Sequence, residues 1–238
     1  MKKLIVIIPA LDEQLSLRQL LPMVVIELSS LTEWNSEVLT VIGVDSTQSD
    51  IQEILNCGGI PVIRGPSNTF GDAIRTGFEV AQNYNPDCIL MMDADGSHSP
   101  KTIPRLVKTM SQGNFDIVIA SRYAAGGGSH NSLLLKLMSR LLNYTYSMVL
   151  GIDAKDVSTN YKIYRAELLA DIHLVCQNFD VVEEILLEIK RTKSGNLVIK
   201  EIPDHFEKRV LGKSKRNLML FILSYITTLF RLRFRKIR

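Results

Sequence analysis

Cysteine is scarce in this chain, with only Cys57, Cys88 and Cys176 in 238 residues. Three thiols, odd in number, far apart and without Cys-x-x-Cys spacing, speak against a disulfide framework and against a structural zinc site, and they suit a reducing cytosol. Also missing is any apolar run of the roughly 20 residues needed to span a bilayer. The longest stretch of that character, residues 218–230, reads LMLFILSYITTLF. There are no internal repeats and no low-complexity linkers. Charge is nearly balanced, 28 basic against 25 acidic residues for a formal net charge of +3, too little to argue for a nucleic-acid partner. Lys2 and Lys3 precede the apolar run 4–8, but Pro9, Asp12 and Glu13 end it before a secretory h-region could form. Present instead is a hydrophobic content of 46%, enough at this length for a sizeable core and one large α/β domain.

β-rich apolar runs at residues 4–8, 38–44, 61–63, 88–92 and 117–120 alternate with helical patterns at 14–28, 51–56, 72–84 and 102–110, which predicts a mostly parallel sheet flanked by helices. Asp12 and Asp50 precede two of these helices as candidate N-caps. After Ala120 the pattern changes. Gly126-Gly127-Gly128 reads as a mobile loop and 133–150 as a long, largely apolar helix. A strand over 157–164, a helix over 181–190 and a strand over 198–202 complete the body.

The run Ile89-Leu90-Met91-Met92 stops at Asp93-Ala94-Asp95-Gly96-Ser97-His98, so two carboxylates sit where a buried strand leaves the core. In open α/β sheets ligand crevices lie at those carboxyl ends. Two like charges about 5 Å apart repel by roughly 3 kcal/mol at an effective dielectric near 20, and a divalent cation reverses that sign. Carboxylate and hydroxyl oxygens suit Mg²⁺ or Mn²⁺, which keep positions open for substrate phosphate. A solvated Asp-rich turn is the alternative for the motif alone.

Other polar groups follow other strands. Pro9-Ala10-Leu11-Asp12-Glu13 follows the first and Val44-Asp45-Ser46 the second; carboxylates at adjacent strand ends can accept from base N–H groups and ribose hydroxyls. Ser121-Arg122-Tyr123 puts a guanidinium at the same edge, able to hold phosphate bidentately or to pair with Asp116 or Asp93. Residues 201–215 hold Lys208, Arg209, Lys213 and Lys215 around Gly212, a loop able to fold over a diphosphate and neutralise a departing nucleotide.

Taken in order, PALDE, VDS, GDAIRTG, MDADGSHSP, ASRYAAGGG, residues 156–164, Glu184-Ile185-Leu186 and EIP…F…R…GKSK resemble glycosyltransferase family 2 and, within it, polyprenyl-phosphate sugar synthases of the dolichyl-phosphate mannose synthase type. The resemblance covers about residues 3–215 and implies a GT-A fold with inverting transfer from a nucleoside-diphosphate sugar. It would place Pro9, Leu11, Glu13, Asp45, Asp93 and Ala94 around the nucleotide sugar, and Asp95 with Ser97 on the metal. Arg122, Ser139, Arg209 and Lys215 would bind the acceptor; Asp93, Asp95, Arg122, Arg209 and Lys215 form the implied catalytic set. The lipid phosphate acceptor of such synthases is already ionised, so positioning and charge neutralisation carry the rate. The chain departs from the family at Asp12 (usually Asn), Ser46 (a second Asp), Ser67 (Lys), Asn160-Tyr161-Lys162 (Gly-Phe-Arg) and Leu135 (Arg), where Lys136 or Arg140 could substitute.

Residues 216–238 read as an amphipathic, basic helix that lies on the cytoplasmic face of a membrane, packs on its own domain or joins two subunits. Three further functions compete. A hydroxyl acceptor in surface-polysaccharide or glycolipid assembly would need a base, for which Asp156, Glu183 and Glu184 are candidates. A haloacid-dehalogenase-like phosphatase would use Asp93 as nucleophile, and a catalytically silent nucleotide-binding protein would fit the altered positions Ser46, Ser67 and Leu135.

Overall fold

The computed structural model describes residues 1–207, 227–229 and 231–234. Seven strands form one sheet: β1 (Lys2–Pro9), β2 (Trp34–Ile42), β3 (Ile60–Ile63), β4 (Cys88–Met91), β5 (Ile117–Ser121), β7 (Lys162–Arg165) and β8 (Ile199–Pro203). Their order is β3-β2-β1-β4-β7-β5-β8. Every pairing is parallel except those of β7, which runs antiparallel between β4 and β5. A second, two-stranded sheet pairs β6 (Gly128–Ser129) with β9 (His205–Phe206).

β1 lies between β2 and β4 and is buried on both sides, which is why it reads as an unbroken apolar run and not as an alternation. Leu4, Val6 and Ile8 enter the core on one face, with Leu17, Leu21 and Val24 of α1 (Gln14–Ser29) and Leu106 and Val107 of α4 (Ile103–Gln112). Ile5 and Ile7 enter the other, with Ile74 and Phe78 of α3 (Phe70–Gln82), Tyr146 of α5 (Leu133–Leu150) and Ile185 and Leu186 of α6 (Val181–Thr192). Each such side chain contributes roughly 1.5–3 kcal/mol on burial.

Several expectations are corrected. The strand anticipated over 157–164 forms only at 162–165, because the preceding polar side chains bond to other elements instead of joining a ladder. The glycine loop is partly ordered: Gly128 donates its N–H to Asp204 O (2.9 Å) and pairs in β6. A Cβ on Gly127 would come within 2.4 Å of Ser121 O, so glycine permits the close approach. Asp12 is not a helix cap. It has φ +57°, a left-handed conformation that Asp and Asn adopt more readily than most residues, and Glu13 precedes α1 without a capping bond. In α2 (Gln48–Asn56) the cap is Thr47, and Asp50 closes a capping box from the third helical position. β2 ends at Ile42, two residues early, where Ser46 N–H turns back to Gly43 O.

The tail segments 227–229 and 231–234 are helical and pack on their own domain. Leu232 joins the core beside α6, Arg191 donates to Leu232 O (2.9 Å) and Arg231 pairs with Asp180. The rest of residues 216–238 lies outside the described residues.

At the start of α3, burial pushes the Asp72 carboxyl up, but hydrogen bonds from Ser67, Arg75 and Thr69 outweigh it and hold the group down at about 2. Because folding lowers this pKa, its stabilisation is complete above the unfolded value near 4 and is lost as pH falls toward 2. Asp72→Asn should therefore cost about 1–2 kcal/mol at pH 7, with the difference from wild type vanishing near pH 2, as read by urea unfolding across that range.

Candidate active site

From β1 the chain winds first to β2 and β3 and then returns to the opposite side as β4. This reversal opens a crevice between the carboxyl ends of β1 and β4, the switch point at which such sheets bind ligands. A cavity of about 610 Å³ lies there, lined by Pro9, Ala10, Leu11 and Glu13 after β1, by Arg64 and Ser67 to Phe70 after β3, by Asp93, Ala94 and Asp95 after β4, and by Asn178 and Phe179. Asp45 lines a smaller adjoining cavity that shares Ala10, Leu11 and Glu13 with the first. The six nucleotide-sugar residues singled out in the sequence thus border one continuous region.

The two carboxylates of the motif are held differently. Asp95 is 6% exposed; its Oδ1 accepts from Ser97 N–H (3.0 Å) and from the Ser97 hydroxyl. Asp93 donates its backbone N–H to His98 Nδ1 (3.0 Å), and its Oδ1 accepts from Asn160 Nδ2 (3.0 Å). Asn160 reaches it because β7 is antiparallel, so that the segment entering β7 sits at the edge where the parallel strands end. His98 stacks on Tyr161 at 4.8 Å, and Glu207 N–H donates to Ser97 O (3.0 Å). Among the described residues no three His, Cys, Asp or Glu side chains cluster to hold a metal by themselves. Asp93, Asp95 and the Ser97 hydroxyl, the groups anticipated from the sequence, offer only oxygen donors, the chemistry that Mg²⁺ or Mn²⁺ takes.

Arg122 does not pair with Asp116 or Asp93. Its Nε and Nη2 donate to both oxygens of Asp156 (2.8 and 2.6 Å), and Nη2 also to Ser158 Oγ (2.9 Å). The guanidinium lies 5.2 Å from the Tyr123 ring centre, and the Tyr123 hydroxyl donates to Ser139 Oγ (2.6 Å). Arg140 approaches the same ring at 5.6 Å. Two of the residues that the family resemblance assigns to the acceptor, Arg122 and Ser139, are therefore joined through Tyr123; the other two, Arg209 and Lys215, lie outside the described residues.

The three candidate bases are placed against that role. Asp156 is fully buried in its ion pair, Glu184 accepts from Val175 and Cys176 N–H, and Glu183 is buried near Lys162. None of them lines the main cavity. Burial pulls the Lys162 ammonium down to about 8, against the opposing effect of Glu183.

Residues 5–173 match the family model described as Glycosyl transferase family 2. The chain belongs to glycosyltransferase family 2. Among its relatives in that family, a polyprenol monophosphomannose synthase of Mycolicibacterium smegmatis is 33% identical over 147 residues, 61% of this chain and 55% of the relative. An undecaprenyl-phosphate mannosyltransferase of Micrococcus luteus is 30% identical over 159 residues, 64% of this chain and 62% of that protein. The match thus spans less than two thirds of either relative. The fold is similar to crystal structures of glucosyl-3-phosphoglycerate synthase from Mycobacterium tuberculosis. One, in complex with Mg²⁺ and uridine-diphosphate, superposes with a TM-score of 0.69 at 17% identity over 97% of this chain and 79% of that one. Another, with Mn²⁺, UDP-glucose and phosphoglyceric acid, gives 0.70 at 17% identity over 98% and 80%. These likenesses make the architecture a GT-A fold.

Three further residues were given no role by the sequence. Arg64, 3% exposed, donates to Ile42 O (3.2 Å), Val41 O (3.0 Å), Asn68 O, Thr69 O (both 3.3 Å) and Ala10 O, tying the loop after β3 to the ends of β1 and β2. Burial lowers its pKa. Asn68 bridges Val44 N–H and the Asp45 carboxylate (2.9 and 3.0 Å). Asn160 was visible only as a departure from the family pattern. Replacing Asn160 by Leu removes the donor to Asp93 together with a carbonyl oxygen that has no hydrogen-bond partner, so the melting temperature should change little. Calorimetry should show affinity for a nucleoside diphosphate with Mn²⁺ falling about tenfold, the size of one hydrogen bond to a charged group.

Proposed function

We propose that the protein is an inverting, metal-dependent glycosyltransferase that moves a sugar from a nucleoside-diphosphate sugar to a polyprenyl phosphate of the dolichyl or undecaprenyl type. The observation that supports this reading best is that Asp93, Ala94 and Asp95 line the switch-point cavity together with Pro9, Leu11 and Glu13, with the Ser97 hydroxyl bonded to Asp95. The names of the mannosyl-transferring relatives support the acceptor class.

In this reading Leu11, Glu13 and Asp45 hold the nucleoside, and Asp93 orients the ribose or sugar. Asp95 and Ser97 would hold Mg²⁺ or Mn²⁺, which when bound neutralises charge on the diphosphate leaving group. Arg122, fixed by Asp156, directs the acceptor phosphate, and Arg209 and Lys215 supply further positive charge. An ionised phosphate oxygen attacks the anomeric carbon from the side opposite the diphosphate. The new C–O bond forms as the old one breaks, configuration inverts, and the nucleoside diphosphate departs with the electron pair. No proton need leave the nucleophile, which accords with candidate bases that are buried and do not line the main cavity. A lipid acceptor places the enzyme on the cytoplasmic face of a membrane.

Purified protein given labelled sugar nucleotide, Mn²⁺ and a detergent-dispersed polyprenyl phosphate should form labelled lipid. Label appearing only on an oligosaccharide or glycolipid hydroxyl would transfer the reading to that acceptor class. Asp95→Ala should abolish metal-dependent donor binding, lowering turnover by about a thousandfold; Lys215→Ala should spare donor binding and slow transfer. Both are separable by calorimetry and a radiometric assay.

A further inference from the structure

One charged side chain is sealed beneath the site without lining it. Lys162, the first residue of β7, is wholly buried and stands outside the wall of the main cavity. Its Nζ donates to Val157 O (3.1 Å) and to Thr159 O, the carbonyls of two buried residues on either side of Ser158. The ammonium thus gathers the segment that leads into β7. That segment supplies Asp156 and Ser158 to Arg122, and Asn160 to Asp93.

Charged groups from several elements act on this ammonium: Glu183 of α6 most strongly, then Asp156, Arg122 after β5 and Asp93 after β4. The Tyr164 hydroxyl, on the same face of β7, is pushed up by burial and by Glu183. The carboxylates favour a charged lysine, but burial disfavours it and prevails, pulling the group down to about 8 from 10.5. A neutral amine keeps two N–H groups for the two carbonyls, yet charge-assisted hydrogen bonds are roughly twice as strong as neutral ones. Loss of the proton also removes the positive charge that Glu183 faces.

We propose that Lys162 is a positioning residue whose ammonium, through the Val157 and Thr159 carbonyls, holds Asn160 against Asp93, and that loss of its proton loosens this hold. The consequence for donor binding rests on the nucleotide-sugar reading; the hold on Asn160 does not. Because folding lowers this pKa, the buried charge costs stability at neutral pH, and the cost is relieved as pH rises from about 8 toward 10.5. Weaker binding in that range is then not weaker folding.

Carbon-13 spectra of the full chain, labelled in its lysine and asparagine side chains, test the hold without any substrate. Lys162 Cε, identified by its absence in Lys162→Arg, should titrate with a midpoint of about 8. Asn160 Cγ, identified by its absence in Asn160→Leu, should move with the same midpoint. In Lys162→Arg the side chain stays charged, and Asn160 Cγ should stay still over that range. If this variant fails to fold, Lys162→Met with Glu183→Gln removes both charges, and Asn160 Cγ should again ignore pH. Calorimetry with UDP or GDP and Mg²⁺ should show wild-type affinity falling about fivefold from pH 7 to pH 9, with Lys162→Arg unchanged and Asn160→Leu weak at both. Over the same range the melting temperature of wild type should rise relative to Lys162→Arg. An Asn160 signal that ignores the Lys162 midpoint, or that moves equally in Lys162→Arg, overturns the proposal. Failure of both nucleotides to bind at pH 7 would count against the nucleotide-sugar reading alone.

Discussion

The site depends on one reversal of direction in an otherwise parallel sheet. β7 enters between β4 and β5 from the edge at which those strands end, so its approach segment delivers Asp156, Ser158 and Asn160 where Asp93 and Arg122 emerge. Asp156 receives the guanidinium of Arg122, and Asn160 receives the carboxylate of Asp93. A parallel strand at that place would begin at the far edge, leaving both groups without these partners. Asp156 is fully buried, and a buried charge that loses its partner costs several kcal/mol, so the pair with Arg122 stabilises the fold, whereas Asp93 is partly exposed and Asn160 serves to orient it.

The same segment links the site to α5. Asn143 donates to Ser158 Oγ (3.0 Å) and accepts from Ser158 N–H (3.0 Å), so the polar face of the helix is bonded to the residues that hold Arg122. Its apolar face is left outward. One helix is therefore bonded on one side to the segment that holds Arg122 and carries a leucine row on the other.

Much of the architecture was legible because the period of apolar residues and the breaks at Pro, Gly and Asp are local signals. The strand ends bearing Pro9, Asp45, Asp93 and Arg122 could be read in this way, and with them the edge at which a ligand binds. What failed to show locally is instructive. Residues 156–160 look strand-like but bond through side chains to distant elements. β6 and β9 are two residues each, too short for any period. Asp12 resembles a helix cap in sequence, yet its backbone turns left-handed and Glu13 takes the position before the helix.

Sequence alone determined the alternation of strands and helices and the family motifs, and it put two carboxylates at the end of a buried strand, since apolar spacing and abrupt polar stops are written residue by residue. Only the tertiary structure decided that Arg122 belongs to Asp156, that Arg64 ties the loop after β3 to the ends of β1 and β2, that Asn160 holds Asp93, and which side of α5 packs into the core. Those outcomes depend on which strands become neighbours and in which direction they run, and partners separated by tens of residues leave no periodic trace in the chain.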